Sequence, residues 1–318
     1  MPFPFSSKSP SLKNHPRKWQ RLLVALMGTG ALGYVLFCSW VTLKQRQLIY
    51  RPGPVVQSLP DDADFGLPYE EVWIPVGSAA DRLHGWWIPA STDELPYIAL
   101  PEEPHKVLSS PKVMLYLYGN GRNKGSRGYL FRMTAFRQLG FSVLAFDYRG
   151  FGNSEGDWPS EQQLYADAEA AWIYLTQERG IPPEQIVIYG ESLGGAIATE
   201  LATRHPEASG LIVQSSFTTM REAVREQAAI TRGLPLRWML TEQFNTLAKV
   251  PALDMPVLFI HGSNDDVLPL NMSQRLHAAA SEPKQLFIIP DAGHHAIYKP
   301  NEASYFRGIQ QFIQASEG

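Results

Sequence analysis

From Val113 onward, short β-branched or aromatic runs alternate with amphipathic stretches, and this alternation constrains the fold more than any other feature. The runs are Val113–Tyr118, Ser142–Asp147, Ile186–Tyr189, Leu211–Gln214, Val257–His261 and Gln285–Ile289. The intervening or following helical stretches are Ser126–Leu139, Glu161–Arg179, Ser192–His205, Ser273–Ala280 and Glu302–Ala315. In Glu161–Arg179, for example, Leu164, Ala168, Ala171, Trp172 and Leu175 fall on one face. Strand and helix in turn predict a parallel sheet covered on both faces. Two earlier runs, Glu71–Val76 and Leu83–Ile88, are separated only by a turn and predict an antiparallel hairpin. The expected architecture is α/β, a mostly parallel sheet of about eight strands with helices on both faces.

Two segments interrupt the alternation. Residues 91–111 are a Pro-rich insertion, expected as a surface loop. Residues 219–250 contain Leu234, Leu236, Trp238, Met239, Leu240 and Phe244. So much apolar material in a crossover predicts a small lid over a pocket, with a helix packed on the sheet as the competing account.

Leu22–Leu43 carries no charge over 22 residues, enough to cross a hydrocarbon core of about 30 Å as a helix. The expectation is an uncleaved single-pass anchor preceded by a basic tail, residues 1–21. A cleaved signal peptide fits less well, because no small-x-small cleavage site closes the run. Lys8, Lys13, Arg17, Lys18 and Arg21 precede the run, and Lys44, Arg46 and Arg51 follow it. The heavier basic flank favours a cytoplasmic tail and a non-cytoplasmic body. Pro52, Pro54, Pro60, Pro68 and the acids Asp61, Asp62 and Asp64 mark residues 44–68 as an extended linker, leaving 69–318 as the folded body. The net charge of −3, without a long basic run, gives no basis for a nucleic-acid partner. A single cysteine, Cys38, excludes an internal disulfide framework and a cysteine nucleophile in the body.

The chemistry is concentrated where strand 186–189 meets helix 192–205. Gly190-Glu191-Ser192-Leu193-Gly194 matches G-x-S-x-G, the tight turn that lifts a serine hydroxyl above a sheet at a helix N-terminus. A serine needs a base oriented by a third group. In this strand-turn-helix setting the acid and then the histidine are expected on later strand ends. Asp265 and Asp266 follow strand 257–261; His294 and His295 follow strand 285–289. Gly293 permits a tight loop that aims His294, whereas the residues alone barely separate the two aspartates. The backbone N–H of Leu193 is the first expected oxyanion donor. Asn120 N–H, in Tyr118-Gly119-Asn120-Gly121, is the second, with Gly121 as its alternative. This glycine-rich stretch lacks the Gly-Lys-Ser/Thr order of a phosphate loop. No histidine or cysteine cluster has metal-ligand spacing, so neither a metal nor a cofactor is expected. Arg122, Lys124, Arg127 and Arg132 lie close in sequence to the oxyanion loop; they are expected to form a solvated helix face rather than an anion site.

From about Tyr69 to the C-terminus the chain resembles the membrane-anchored α/β-hydrolase domain proteins of the serine-aminopeptidase-like group, relatives of monoacylglycerol lipases and protein depalmitoylases. The resemblance rests on Gly119-Asn120-Gly121, Asp147–Gly156, Gly190–Gly195, Ser215–Thr219, His261–Val267 and Gly293-His294. It implies the α/β-hydrolase fold, with Asp265 as the acid and His294 as the base. One departure stands out: where relatives have His-Gly before the oxyanion loop, this chain has Tyr118-Gly119. The expected activity is hydrolysis of an acyl ester, thioester or amide through an acyl-Ser192 intermediate, and the anchor with the apolar residues 234–244 points to a lipidic or acylated substrate met at the bilayer. A tethered binding protein without chemistry, or a transferase or aminopeptidase using the same triad, are the competing functions.

Overall fold

The computed structural model describes residues 16–53, 56–77, 81–91, 112–295, 297–300 and 302–316. The insertion beyond residue 91 and the tail up to residue 15 lie outside the described residues. The chain divides into two compact units at the Gln45–Arg46 junction.

The first unit holds most of helix α1 (Pro16–Ile49). Its stretch Trp19–Ile49 is long and apolar enough to cross a membrane. Leu22, Val24, Met27, Leu32 and Leu36 are exposed, the opposite of a core helix.

The second unit is one eight-stranded sheet in the order β1-β2-β4-β3-β5-β6-β7-β8. Its strands are β1 (Glu70–Pro75), β2 (Arg82–Ile88), β3 (Lys112–Leu117), β4 (Phe141–Phe146), β5 (Ile186–Glu191), β6 (Gly210–Gln214), β7 (Val257–Gly262) and β8 (Lys284–Ile289). The helices are α2 (Arg127–Gln138), α3 (Glu161–Ile173), α4 (Leu193–Arg204), α5 (Met220–Gln227), α6 (Leu236–Met239), α7 (Thr246–Lys249), α8 (Asn271–Ala279) and α9 (Glu302–Ala315). Every residue of β3, β5, β6 and β7 is buried, which is what helices on both faces of a parallel sheet require. In β1, by contrast, the last four residues alternate buried and exposed, as suits an edge strand. β1 and β2 form the antiparallel hairpin, and β2 pairs antiparallel with β4. From β4 to β8 all pairings are parallel, so the ends of β5, β7 and β8 open onto the same edge.

Helix α3 is shorter than its hydrophobic period suggests. A capping box between Ser160 and Gln163 starts it, and it passes into a π-helical turn over Tyr174–Glu178.

The body begins earlier than its pattern of strands implies. Tyr50 and Leu67 are fully or almost fully buried, and Ser58 N–H donates to Gly125 C=O at 3.2 Å. Pro52 and Pro60 disfavour helix locally, but a proline does not prevent extended chain from lying along a surface. Asp62 accepts from Leu59 N–H at 2.9 Å and closes a turn there.

The 219–250 crossover is folded as α5, α6 and α7 with a 3₁₀ turn between α5 and α6. Leu234, Leu236, Met239, Leu240 and Phe244 are buried, whereas Trp238 is 82% exposed.

Candidate active site

The turn between β5 and α4 is defined by what it excludes. Ser192 has φ 53° and ψ −117°, a conformation costly for any L residue. It is held by Ser192 N–H donating to Gln214 C=O at 2.8 Å, and by Ser192 C=O accepting from Ser216 Oγ at 2.8 Å and Gly195 N–H at 3.0 Å. A Cβ on Gly190 would collide with Gly194 and Ala198; one on Gly194 would collide with the Leu117 and Tyr118 carbonyls. The glycines are therefore required by close approach of helix to strand.

Three loops converge on this turn. His294 Nε2 lies 3.2 Å from Ser192 Oγ, and its Nδ1 lies 2.7 Å from Asp265 Oδ2. The Asp265 side chain is fully buried. Its Oδ1 accepts from Val267 N–H at 2.9 Å and Leu268 N–H at 2.7 Å. Burial alone would raise this carboxyl, but hydrogen bonds from His261 and His294 outweigh it and hold the group well below the usual carboxylate range. An ionised Asp265 requires Nδ1 of His294 to carry a proton and donate it, which leaves the lone pair on Nε2 facing Ser192. Asp266 and His295 are exposed, and neither takes part in this chain of contacts.

A second histidine escaped the sequence reading. His261, fully buried in β7, places Nε2 3.2 Å from Asp265 Oδ2 and 2.9 Å from Leu268 C=O. Two acceptors at one nitrogen fix the proton there. Its Nδ1 contacts Ser273 Oγ at 2.7 Å. The signal was present in His261-Gly262, but a histidine inside an apolar strand reads as core until its neighbours are known.

The loop after β3 passes close to Ser192: a Cβ on Gly119 would lie 3.1 Å from Ser192 Cβ. Leu193 N–H opens α4 and has no acceptor within its own helix. Tyr118 is fully buried, and its hydroxyl donates to Asp147 Oδ1 at 3.1 Å.

The four basic residues near this loop do not form one solvated face. Lys124 is fully buried, with Nζ 2.5 Å from Asp147 Oδ2, 2.6 Å from His84 Nδ1 and 4.6 Å from the Trp86 ring centroid. Arg132 is buried against Glu191. Arg122 and Arg127 stay exposed, Arg127 pairing with Asp64 at 2.6 Å. Buried carboxylates draw Arg132 of α2, and Lys124 of the loop before it, inward.

A mostly parallel eight-stranded sheet with a serine elbow after its fifth strand, and acid and histidine on later strand ends, defines an α/β-hydrolase. Residues 111–247 match the family described as Serine aminopeptidase, S33. The chain is 35% identical over 275 residues to the uncharacterized protein Rv2307c of Mycobacterium tuberculosis, covering 86% of this chain and 87% of that one. It is 30% identical over 206 residues to alpha/beta hydrolase domain-containing protein 17B of Xenopus laevis, covering 64% and 67% of the two chains. Among solved structures, the Pyrococcus furiosus esterase Pf2001 superposes with a TM-score of 0.65 at 19% identity, over 84% of this chain and 98% of that one. An alpha-beta hydrolase from Vibrio vulnificus superposes with a TM-score of 0.63 at 24% identity, over 84% and 89%. The chain belongs to the α/β-hydrolase domain family and is a hydrolase.

Proposed function

We propose that the protein cleaves an acyl ester, thioester or amide through an acyl-Ser192 intermediate. The observation that carries this reading is the unbroken line from Ser192 Oγ through the His294 ring to the buried Asp265 carboxylate. Ser192 Oγ attacks the acyl carbon while His294 Nε2 takes its proton. The tetrahedral oxyanion is received by the backbone N–H groups of Leu193 and Asn120. Collapse expels the alcohol, thiol or amine, which leaves with the proton from His294. Water, deprotonated by the same nitrogen, then attacks the acyl-enzyme and releases the acid. Asp265 holds the His294 tautomer and stabilises its charged form throughout.

Helix α1 would anchor the enzyme in a membrane, its basic flank on the cytoplasmic side and the body opposite. Residues 219–250 would serve as the lid. With an apolar crossover and an anchor, the favoured substrate is lipidic or acylated and met at the bilayer. A fluorophosphonate probe on the full-length protein in detergent tests the chemistry. Labelling is expected for wild type and not for Ser192→Ala; equal labelling of both would refute the mechanism. A p-nitrophenyl ester series tests the substrate class, with preference expected to rise with acyl length. Preference for the shortest esters would remove the lipidic assignment.

A further inference from the structure

We infer that Ile49–Gly53 is a positioning arm of the active site, acting through the Asn120 side chain; this rests on the reading of Asn120 N–H as an oxyanion donor. Asn120 Nδ2 donates to Ile49 C=O at 2.5 Å, and Oδ1 accepts from Arg51 N–H at 3.0 Å. Both ends of the carboxamide are thus bound to backbone that precedes the loop by 71 and 69 residues. The contact continues along the arm. Gly53 C=O accepts from Asn123 Nδ2 and from Gly152 N–H, each at 3.2 Å. A Cβ on Gly53 would stand 3.2 Å from the Arg122 carbonyl carbon, so the two backbones run in direct contact.

The same arm grips the crossover. Tyr50 is fully buried between these attachments, and its hydroxyl donates to Glu242 Oε2 at 2.6 Å. Burial, then the neighbouring Glu242 carboxylate, pushes this phenol far up, so it stays a donor at any working pH. Glu242 also receives Arg46 Nε at 3.2 Å and Glu161 N–H at 2.5 Å. Gln243 N–H in turn donates to Glu161 Oε2 at 2.5 Å, which interlocks the crossover with the start of α3.

An oxyanion donor acts only if its N–H is fixed within a few tenths of an ångström of its working position. The loop after β3 has no regular structure of its own between Tyr118 and Ser126, and Gly121, at φ 86°, loosens it further. An amide side chain bonded at both ends has one orientation, and that fixes the peptide at its own Cα. Asn120 is therefore a positioning residue as well as the bearer of the donor. The arm follows directly from the last turn of α1, which makes the juxtamembrane residues part of the catalytic apparatus and not a tether.

The test uses the full-length protein in detergent and three variants, Asn120→Ala, Asn120→Asp and Arg51→Pro. The last removes the N–H bonded to Oδ1 together with the exposed Arg51 side chain, and fixes φ beside a proline already at position 52. The expected result is a kcat roughly ten- to a hundredfold lower on a p-nitrophenyl ester, with KM within about threefold and an unshifted thermal midpoint. A kcat within about twofold of wild type in folded Asn120→Ala and Arg51→Pro would overturn the inference. So would a kcat loss that only tracks a falling thermal midpoint in all three. Should Asn120→Ala not fold, Arg51→Pro decides. Fluorophosphonate labelling of wild type separates the two levels: no labelling at Ser192 defeats the proposed chemistry, whereas labelling with unaffected variants defeats the arm alone.

Discussion

Arg132 Nη2 lies 2.6 Å from Glu191 Oε2, an ion pair almost wholly withdrawn from solvent behind the turn that carries Ser192. Around it stand the buried phenols of Tyr116, Tyr189 and Tyr305; Tyr116 hydroxyl reaches Glu191 at 3.4 Å, and Tyr189 and Tyr305 both donate to Gln214. The residue just before Ser192 in the elbow motif is thus tied to helix α2. Two charges in such a place are costly to bury and costlier to separate.

Removing one partner leaves the other charge buried and uncompensated, so the two losses should not add. Arg132→Met or Glu191→Gln alone is expected to cost about 3–5 kcal/mol, and the double substitution clearly less than the sum. Denaturant unfolding of the four proteins measures the cycle, and additive losses would contradict it.

Asp265→Asn should leave the protein folded and the hydroxyl in place while reversing the proton arrangement on His294. The amide offers a donor where the carboxylate accepted from Nδ1, and turnover should fall by roughly three to four orders of magnitude. Ester hydrolysis under saturating substrate, with probe labelling as a second readout, checks this.

The depressed Asp265 carboxyl also sets a pH dependence of stability. A carboxyl lowered in the folded state contributes stability above the unfolded value of about 4 and loses it as pH falls toward the folded one. The unfolding free-energy gap between wild type and Asp265→Asn should be widest near neutrality and narrow below about pH 4. A gap constant down to about pH 3 would show that the carboxyl is not held low.

His261 should behave as an orienting group for Asp265 and not as a base. His261→Phe keeps the ring volume and removes the 3.2 Å contact to Asp265. A fall in kcat of about tenfold or more at nearly constant KM is expected, with some loss of stability from the unpaired Leu268 carbonyl and Ser273 hydroxyl. His261→Gln, able to donate from Nε2 to the same carboxylate, should restore part of kcat. Equal damage from both variants would reduce His261 to core packing.

The α/β architecture and the serine elbow were legible because each is written in local, periodic residues. Strand 186–191 runs into helix 193–204 through glycines that nothing larger can replace. The choices between neighbours were different in kind. Asp265 and Asp266 share a loop and a charge, and only the turn after β7 determines which one points inward; for His294 and His295 it is the turn after β8. Lys124 and Arg132 carry a helix-surface pattern in the sequence and are buried in the fold, because Asp147 and Glu191 sit where only long-range strand packing puts them.

By itself the sequence determined the sheet, the helix long and apolar enough for a membrane, and the three loops on which Ser192, Asp265 and His294 stand, since these follow from period, length and glycine placement. The tertiary structure alone decided that His261 backs Asp265, that Lys124 and Arg132 turn inward, and that Ile49–Gly53 binds Asn120. Each of those joins residues far apart in the chain, or ranks near neighbours by burial, and hydrogen-bond partners across such separations are set by packing that no local pattern encodes.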